Sequence, residues 1–279
     1  MSILTDRVAV VTGASRGVGR GIAHELGLAG ATVYVTGRSR EGGARTDDLP
    51  GTIEETARLV SEAGGTGLAV ACDHTDDAAV DALAEWVRAE QGHLHLLVNN
   101  VWGGYEQYEQ ELFELPVWEQ PIWRWDRMFA AGVRAHYTTS RALAPLMRGV
   151  PRPLIVNVSF GDNGKFLGDV QYDVAKAAVT RLGLALAEKL RPEGIAALTV
   201  YPGFTRTERV EAGAPPEALA QTHSPRFVGR AILALVTDPE VMGKSGGAFK
   251  VGQLGLDYGF PDVDGSQPEP FFIFKNNET

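Results

Sequence analysis

Cysteine is nearly absent from this chain, with Cys72 the only one. No intrachain disulfide can form, and the usage fits a reducing, cytoplasmic compartment with Cys72 as a buried apolar thiol. No uninterrupted apolar stretch reaches the roughly 18 residues of a membrane-crossing helix, so no membrane span is expected. The chain enters an apolar strand by Arg7, which leaves no room for a signal peptide. Positive charge is also short: 26 Lys and Arg stand against 35 Asp and Glu, for a net charge of −9. That balance argues against nucleic acid as the main partner. The six histidines lack metal-ligand spacing. His93 and His95 flank a strand start, where surface or turn roles are expected, and no metal is assigned.

What is present is a regular alternation. Apolar strands are read at residues 7–11, 31–35, 67–71, 94–99, 154–159, 195–200 and 248–251. Amphipathic helices are read at 52–63, 76–90, 124–148, 172–190 and 224–237, besides one opening near Gly19. This pattern predicts an α/β fold, a single Rossmann-like, doubly wound parallel sheet of about seven strands with helices on both faces. With 44% hydrophobic residues the core is ample, and residues 1–279 read as one domain with no linker or repeat. The polar, proline-bearing stretch 265–279 reads as a mobile or partner-docked tail.

Directly after the first strand stands Thr12-Gly13-Ala14-Ser15-Arg16-Gly17-Val18-Gly19, and Ile22, Ala23, Leu26 and Ala29 follow with helical spacing. Strand, glycine turn and helix in that order make a phosphate-binding unit. Gly13 permits the tight turn, Gly17 a close approach of pyrophosphate, and Gly19 the packing of helix on strand. A glycine-rich connection without a ligand is the plainer alternative.

Tyr172 and Lys176 lie four residues apart, on one face of a helix, and Ser159 ends the preceding strand. An ammonium beside a phenol favours the phenolate and lowers its pKa, which makes Tyr172 a usable acid and base. Ser159 is placed to hydrogen-bond the same reacting oxygen. A tyrosine and a lysine also share helix faces by chance, so the neighbouring motifs decide. One is Leu96-Leu97-Val98-Asn99-Asn100, an apolar strand ending in amides at the rim where parallel sheets bind ligands. There Asn99 either touches the cofactor or stabilises the loop; a plain Asx turn is the simpler reading of an isolated pair.

Together these residues resemble the short-chain dehydrogenase/reductase family. The matching features are Thr12-Gly13-x-x-x-Gly17-x-Gly19, Asp73, Asn99-Asn100, Ser159, Tyr172-x-x-x-Lys176 and Pro202-Gly203-x-x-x-Thr207, in the family's order over nearly the whole chain. The resemblance implies a nicotinamide cofactor and carbonyl/alcohol oxidoreduction. Ser159, Tyr172 and Lys176 become the catalytic set. Gly13, Ser15, Arg16, Gly17, Val18, Gly19, Arg38, Asp73, Asn99, Tyr172, Lys176, Pro202, Gly203, Thr205 and Thr207 become cofactor contacts. It also implies a homodimer or homotetramer built on the helices near 124–148 and 172–190. One position departs from the pattern. Many members carry an asparagine, on the helix before the serine strand, that holds a water relaying protons from the lysine. Gly132 falls there, leaving a space that water can fill.

NAD-specific sites place an acid at the end of the second strand. Here Gly37 falls at that point, followed by Arg38, with Arg16 in the glycine turn and Ser15 beside it. Two guanidiniums suit a 2′-phosphate, so NADP(H) is expected over NAD(H). Asp73 follows the third strand, where an adenine contact and helix capping are both open. On the substrate side, an aromatic insertion at about 101–123 carries Trp102, Tyr105, Tyr108, Phe113, Trp118 and Trp123, with Trp125 just beyond. It is read equally as a pocket wall for an apolar carbonyl or alcohol and as a self-packed cap or subunit contact. A substrate loop is expected at about 204–223. One alternative stays open, a non-catalytic, NADPH-binding regulator of the same fold; an epimerase or dehydratase is discounted, since those relatives usually have a larger C-terminal substrate domain and a different glycine spacing.

Overall fold

The computed structural model describes residues 2–43, 45–46, 49–107, 111–162 and 164–273. Seven strands form one sheet: β1 (Val8–Val11), β2 (Thr32–Gly37), β3 (Thr66–Ala71), β4 (Leu96–Asn99), β5 (Leu154–Val158), β6 (Ala196–Tyr201) and β7 (Ala248–Lys250). Their order is β3-β2-β1-β4-β5-β6-β7, with every neighbouring pair parallel. Chain order reverses between β1 and β4, and the crevice at such a switch point is where open α/β sheets bind ligands.

The strands are β-branched runs buried on both faces, and successive side chains go to opposite sides. Ala9 and Val11 join the core beneath α1 (Gly17–Leu28), α2 (Ile53–Glu62) and α10 (Pro225–Thr237). Val8 and Val10 join the other, beneath α3 (Asp77–Gln91) and the ends of two further helices. Helix starts follow side-chain chemistry. Thr52 and Glu55 form a reciprocal capping box on α2, Asp76 caps α3, and Ser224 caps α10.

Three segments differ from the sequence reading. The helix expected at 124–148 is a segmented column: α5 (Ile122–Arg127), a π-helical stretch (Met128–Arg134), α6 (Ala135–Leu143) and a 3₁₀ turn (Ala144–Met147) holding Pro145. The stretch opens to i→i+5 bonding, as in Ala135 N–H to the Ala130 carbonyl, and such bulges gather at functional sites. The insertion holds one short helix, α4 (Glu111–Glu114), and the loop after β6 two, α8 (Glu208–Gly213) and α9 (Pro216–Leu219). The tail is not free through residue 273. Lys250 Nζ, 2.9 Å from Asp162 Oδ1, also donates to the Phe271 carbonyl at 2.8 Å, and Ile273 N–H donates to Asp162 Oδ2 at 2.9 Å. Residues 274–279 lie outside the described residues, as does Tyr108. A further helix, α11 (Val251–Tyr258), packs beneath this tail. Its glycines at 252 and 255 weaken the helical signal in the sequence.

Candidate active site

A cleft of about 750 Å³ opens along the carboxyl edge of the sheet, from Gly13 and Arg38 at one end to Ser159 and Tyr172 at the other. Gly13 and Gly17 take φ of +61° and +55°, the left-handed region that glycine enters without strain. A Cβ on Gly13 would stand 3.1 Å from the Val101 Cα, and one on Gly19 2.6 Å from the Gly13 carbonyl oxygen. The Gly17 N–H, at the start of α1, donates to Glu208 Oε2 at 2.8 Å. A carboxylate thus stands in for an anion where a helix N-terminus favours negative charge. Thr205, which lines the same cleft, has a buried Oγ1 with no hydrogen-bond partner among the described residues. Cradle, stand-in anion and orphaned hydroxyl fit a pyrophosphate.

Helix α7 (Val170–Leu190) carries Tyr172 and Lys176. Asp169 fixes its start, accepting from Tyr172 N–H through Oδ1 at 2.7 Å. The other oxygen, Oδ2, lies 3.0 Å from Arg124 Nη1, and this ion pair is almost fully buried. Arg124 also donates to the Leu112 carbonyl at 2.9 Å and stacks 4.5 Å over Phe113. The aromatic insertion is thereby tied to the first turn of α7. Ser159 Oγ donates to the Lys176 carbonyl at 2.8 Å, holding the end of β5 against the same helix.

Burial pulls the Lys176 amine down to about 7. Tyr172 is partly exposed to the cleft, yet its phenol is held well above the ordinary value, first by burial and then by Tyr105, whose hydroxyl lies 3.4 Å away. The expected lowering of Tyr172 by the ammonium is therefore not found in this state, where burial and Tyr105 both raise the phenol. Burial also lowers His74 to about 4 and His136 to about 3, so both are neutral at pH 7. Cys72 is buried, and burial pushes its thiol up to about 12.

The insertion divides in two. Trp102, Tyr105 and Phe113 gather round the Tyr172 ring at 5.6, 6.3 and 5.9 Å between centroids. Trp118 is 82% exposed, and Trp123 and Trp125 also face outward. The inner rings form an apolar wall against Tyr172, and the outer ones expose apolar surface. Phe160 and Phe204 extend the wall, each packed on Phe271 of the tail at about 6 Å.

Ser15, Arg16, Gly17, Val18, Arg38, Asp73, Pro202, Gly203, Thr205 and Thr207 line the cleft. Gly19 supports it from behind. Arg16 binds the 39–51 loop through Ser39 Oγ and the carbonyls of Thr46, Pro50 and Gly51. Arg38 pairs with Glu106 and lies 3.9 Å from Asp73. Asp73 accepts from Thr75 N–H at 2.9 Å, and the capping of α3 falls to Asp76 instead.

Three expectations are corrected. Asn99 does not reach the cleft. It is fully buried, with its amide donating to Ser140 Oγ at 2.9 Å and Asn157 Oδ1 at 3.0 Å. Side chains alternate along a strand, so Asn100 turns to the cleft and donates to the carbonyls of Thr12 and Gly13. Nor is the space beside Gly132 open to water, since a Cβ there would stand 2.5 Å from Cε3 and Cζ3 of Trp102. His95 is likewise no surface residue: it is buried and accepts from Val8 N–H at 3.1 Å. The sequence reading did not single out Glu208, the Arg124–Asp169 pair or His223, whose ring contacts the Pro202 carbonyl at 2.7 Å. The one sequence signal for the ion pair is Arg124 itself, a charge at the start of the helix read at 124–148.

A Rossmann-type sheet with a glycine phosphate turn and a Ser–Tyr–Lys cluster at its switch point defines a class of dinucleotide-dependent oxidoreductase. The family model for short chain dehydrogenases matches residues 7–217, and the chain belongs to the short-chain dehydrogenase/reductase family of oxidoreductases. It is 35% identical to dehydrogenase/reductase SDR family member 1 of Mus musculus, over 96% of this chain and 87% of that protein. A short-chain dehydrogenase structure from Mycobacterium thermoresistibile superposes with a TM-score of 0.83 at 26% identity, covering 99% of this chain and 96% of that one. A metagenomic short-chain oxidoreductase in complex with NADP is 29% identical with a TM-score of 0.66, covering 85% and 93%.

Proposed function

We propose that this protein interconverts a carbonyl and an alcohol on a small or medium apolar substrate, with NADP(H) preferred over NAD(H). The observation that carries this reading is the convergence of Ser159, Tyr172 and Lys176 at one end of a cleft whose other end is the glycine turn. When bound, a nicotinamide cofactor supplies or accepts hydride. The chain's own residues handle the proton. Tyr172 Oη gives it to the substrate oxygen in reduction and takes it back in oxidation. The phenol is protonated at neutral pH, as the acid direction requires, and a charged Lys176 would ease its loss of the proton. Ser159 Oγ, turned away from the Lys176 carbonyl, holds the substrate oxygen and stabilises its developing charge. Lys176 holds the cofactor ribose, and an anionic cofactor favours its ammonium form. Tyr105, Phe160 and Phe204 supply an apolar wall. Arg38 beside Gly37, with no acid at that strand end, supports the NADP(H) preference, as does the NADP complex of the metagenomic relative.

The test is Tyr172→Phe, assayed by NADPH oxidation with ketones, aldehydes and quinones. Turnover should fall by about 10²–10⁴-fold while NADPH binding persists. Near-parent turnover in this variant would remove Tyr172 from the chemistry. A parent that binds NADPH but turns over no panel compound would instead be the non-catalytic regulator.

The proposed partner is a second copy of this chain. Trp125 and Tyr137 on the segmented column, and Val170 and Val174 on the adjoining α7, expose apolar surface.

A further inference from the structure

We infer that Trp102 is a positioning residue for Lys176, its indole face carrying the ammonium in the space where Gly132 lacks a side chain. The inference rests on the proposed roles of Tyr172 and Lys176 and concerns how their pair is held.

The indole is seated between two glycines. A Cβ on Gly132 would meet its Cε3 and Cζ3 at 2.5 Å, and one on Gly104 would meet Cζ2 at 2.5 Å and Cε2 at 2.7 Å. Any other residue at either position would push the ring out. Gly132 lies within the π-helical stretch of the column, so the backbone facing the ring is itself irregular. Lys176 Nζ stands 3.4 Å from the centre of the ring, and Tyr172 packs edge-on to it at 89°. Trp102 Nε1 is buried with no hydrogen-bond partner. Buried indoles usually satisfy that N–H, so hydrogen bonding does not explain the placement, whereas the use of its face does.

The groups around Lys176 leave the ring as its main electrostatic support. Tyr172 is on its own helix; its phenol is neutral, and its ring face, 5.4 Å from Lys176 Nζ, is the more distant of the two. Ser159 from β5 reaches the backbone carbonyl of Lys176 and not its amine. His136 from α6 is neutral and spends a ring nitrogen on the Val101 carbonyl at 3.0 Å. Tyr105 from the insertion touches Tyr172. Among the described residues Lys176 has no ion pair. A cation–π contact gains strength when desolvated, and Lys176 is only 7% exposed.

The primary readout is the titration of Lys176 itself, in cofactor-free protein labelled with ¹³Cε-lysine and assigned by signal loss in Lys176→Met. In Trp102→Leu, which keeps bulk and removes the ring face, the Lys176 pKa should fall by about one unit. In Trp102→Phe it should move by less than about a third of that. A role in packing alone would lower stability in both variants and leave the pKa in place. The second readout is shared volume. Gly132→Asn should cost about tenfold or more in NADPH-dependent turnover in the parent. In a Trp102→Gly background the same change should cost little or restore activity. An unmoved Lys176 titration in Trp102→Leu, an equal shift in Trp102→Phe, or equal harm from Gly132→Asn in both backgrounds overturns the inference. Should Trp102→Leu fail to fold, the volume experiment decides alone. Tyr172→Phe separates the two levels: if it abolishes turnover while Lys176 is indifferent to Trp102, only this inference fails.

Discussion

Arg38 ends β2 with a choice of partners. Its guanidinium pairs with Glu106 and lies 3.9 Å from Asp73, so a 2′-phosphate has to compete with carboxylates already in place. Charge-assisted, bidentate geometry favours the phosphate in that competition. Arg38→Ala should therefore raise the KM for NADPH by roughly 10-fold to 150-fold, a loss of about 1.5–3 kcal/mol, and leave NADH nearly unaffected. Steady-state kinetics with both cofactors check this, and equal changes would show that Arg38 does not read the phosphate. At this scale the sequence was informative wherever chemistry and local spacing coincide, as in Tyr172 and Lys176 on one helix turn. It misled at Asn99, because the choice between Asn99 and Asn100 depends on which face the strand end presents. It singled out Trp102 and Gly132 separately but was silent on their contact, which forms only after the chain has folded back on itself across 30 positions of numbering.

Strands and most helices followed from periodicity and caps. The elements that did not were those governed by tertiary contacts. The column from 122 to 147 keeps helical direction but widens to π geometry beside the Trp102 indole and tightens at Pro145. Its first helix is anchored by Arg124, whose pairing with Asp169 also starts α7. One carboxylate thus serves two elements. Asp169→Asn would keep a cap but leave the Arg124 charge buried without its counter-ion. Breaking such a pair from one side costs about 3–5 kcal/mol. Urea unfolding should show that loss as a lower midpoint with an unchanged slope. A change below about 1 kcal/mol would mean that water or a neighbour replaces the carboxylate.

For the whole molecule, the seven-stranded parallel sheet and its helical layers were legible because βα alternation leaves few other solutions. The expectation of a dimer or tetramer rests on family resemblance alone, and the structure adds the exposed apolar faces of α5, α6 and α7. Light scattering should find a dimer or tetramer at micromolar concentration, and Val174→Arg should shift it toward monomer. A monomeric parent would reassign that surface to another partner. The tail was misread because its anchor, Lys250 with Asp162, joins residues far apart in the chain. Phe271 leans on Phe160 and Phe204, while the phosphate turn at Gly13 stands at the opposite end of the sequence. On a ribosome the apolar wall is thus completed only when Phe271 has emerged, after every strand of the sheet has been made.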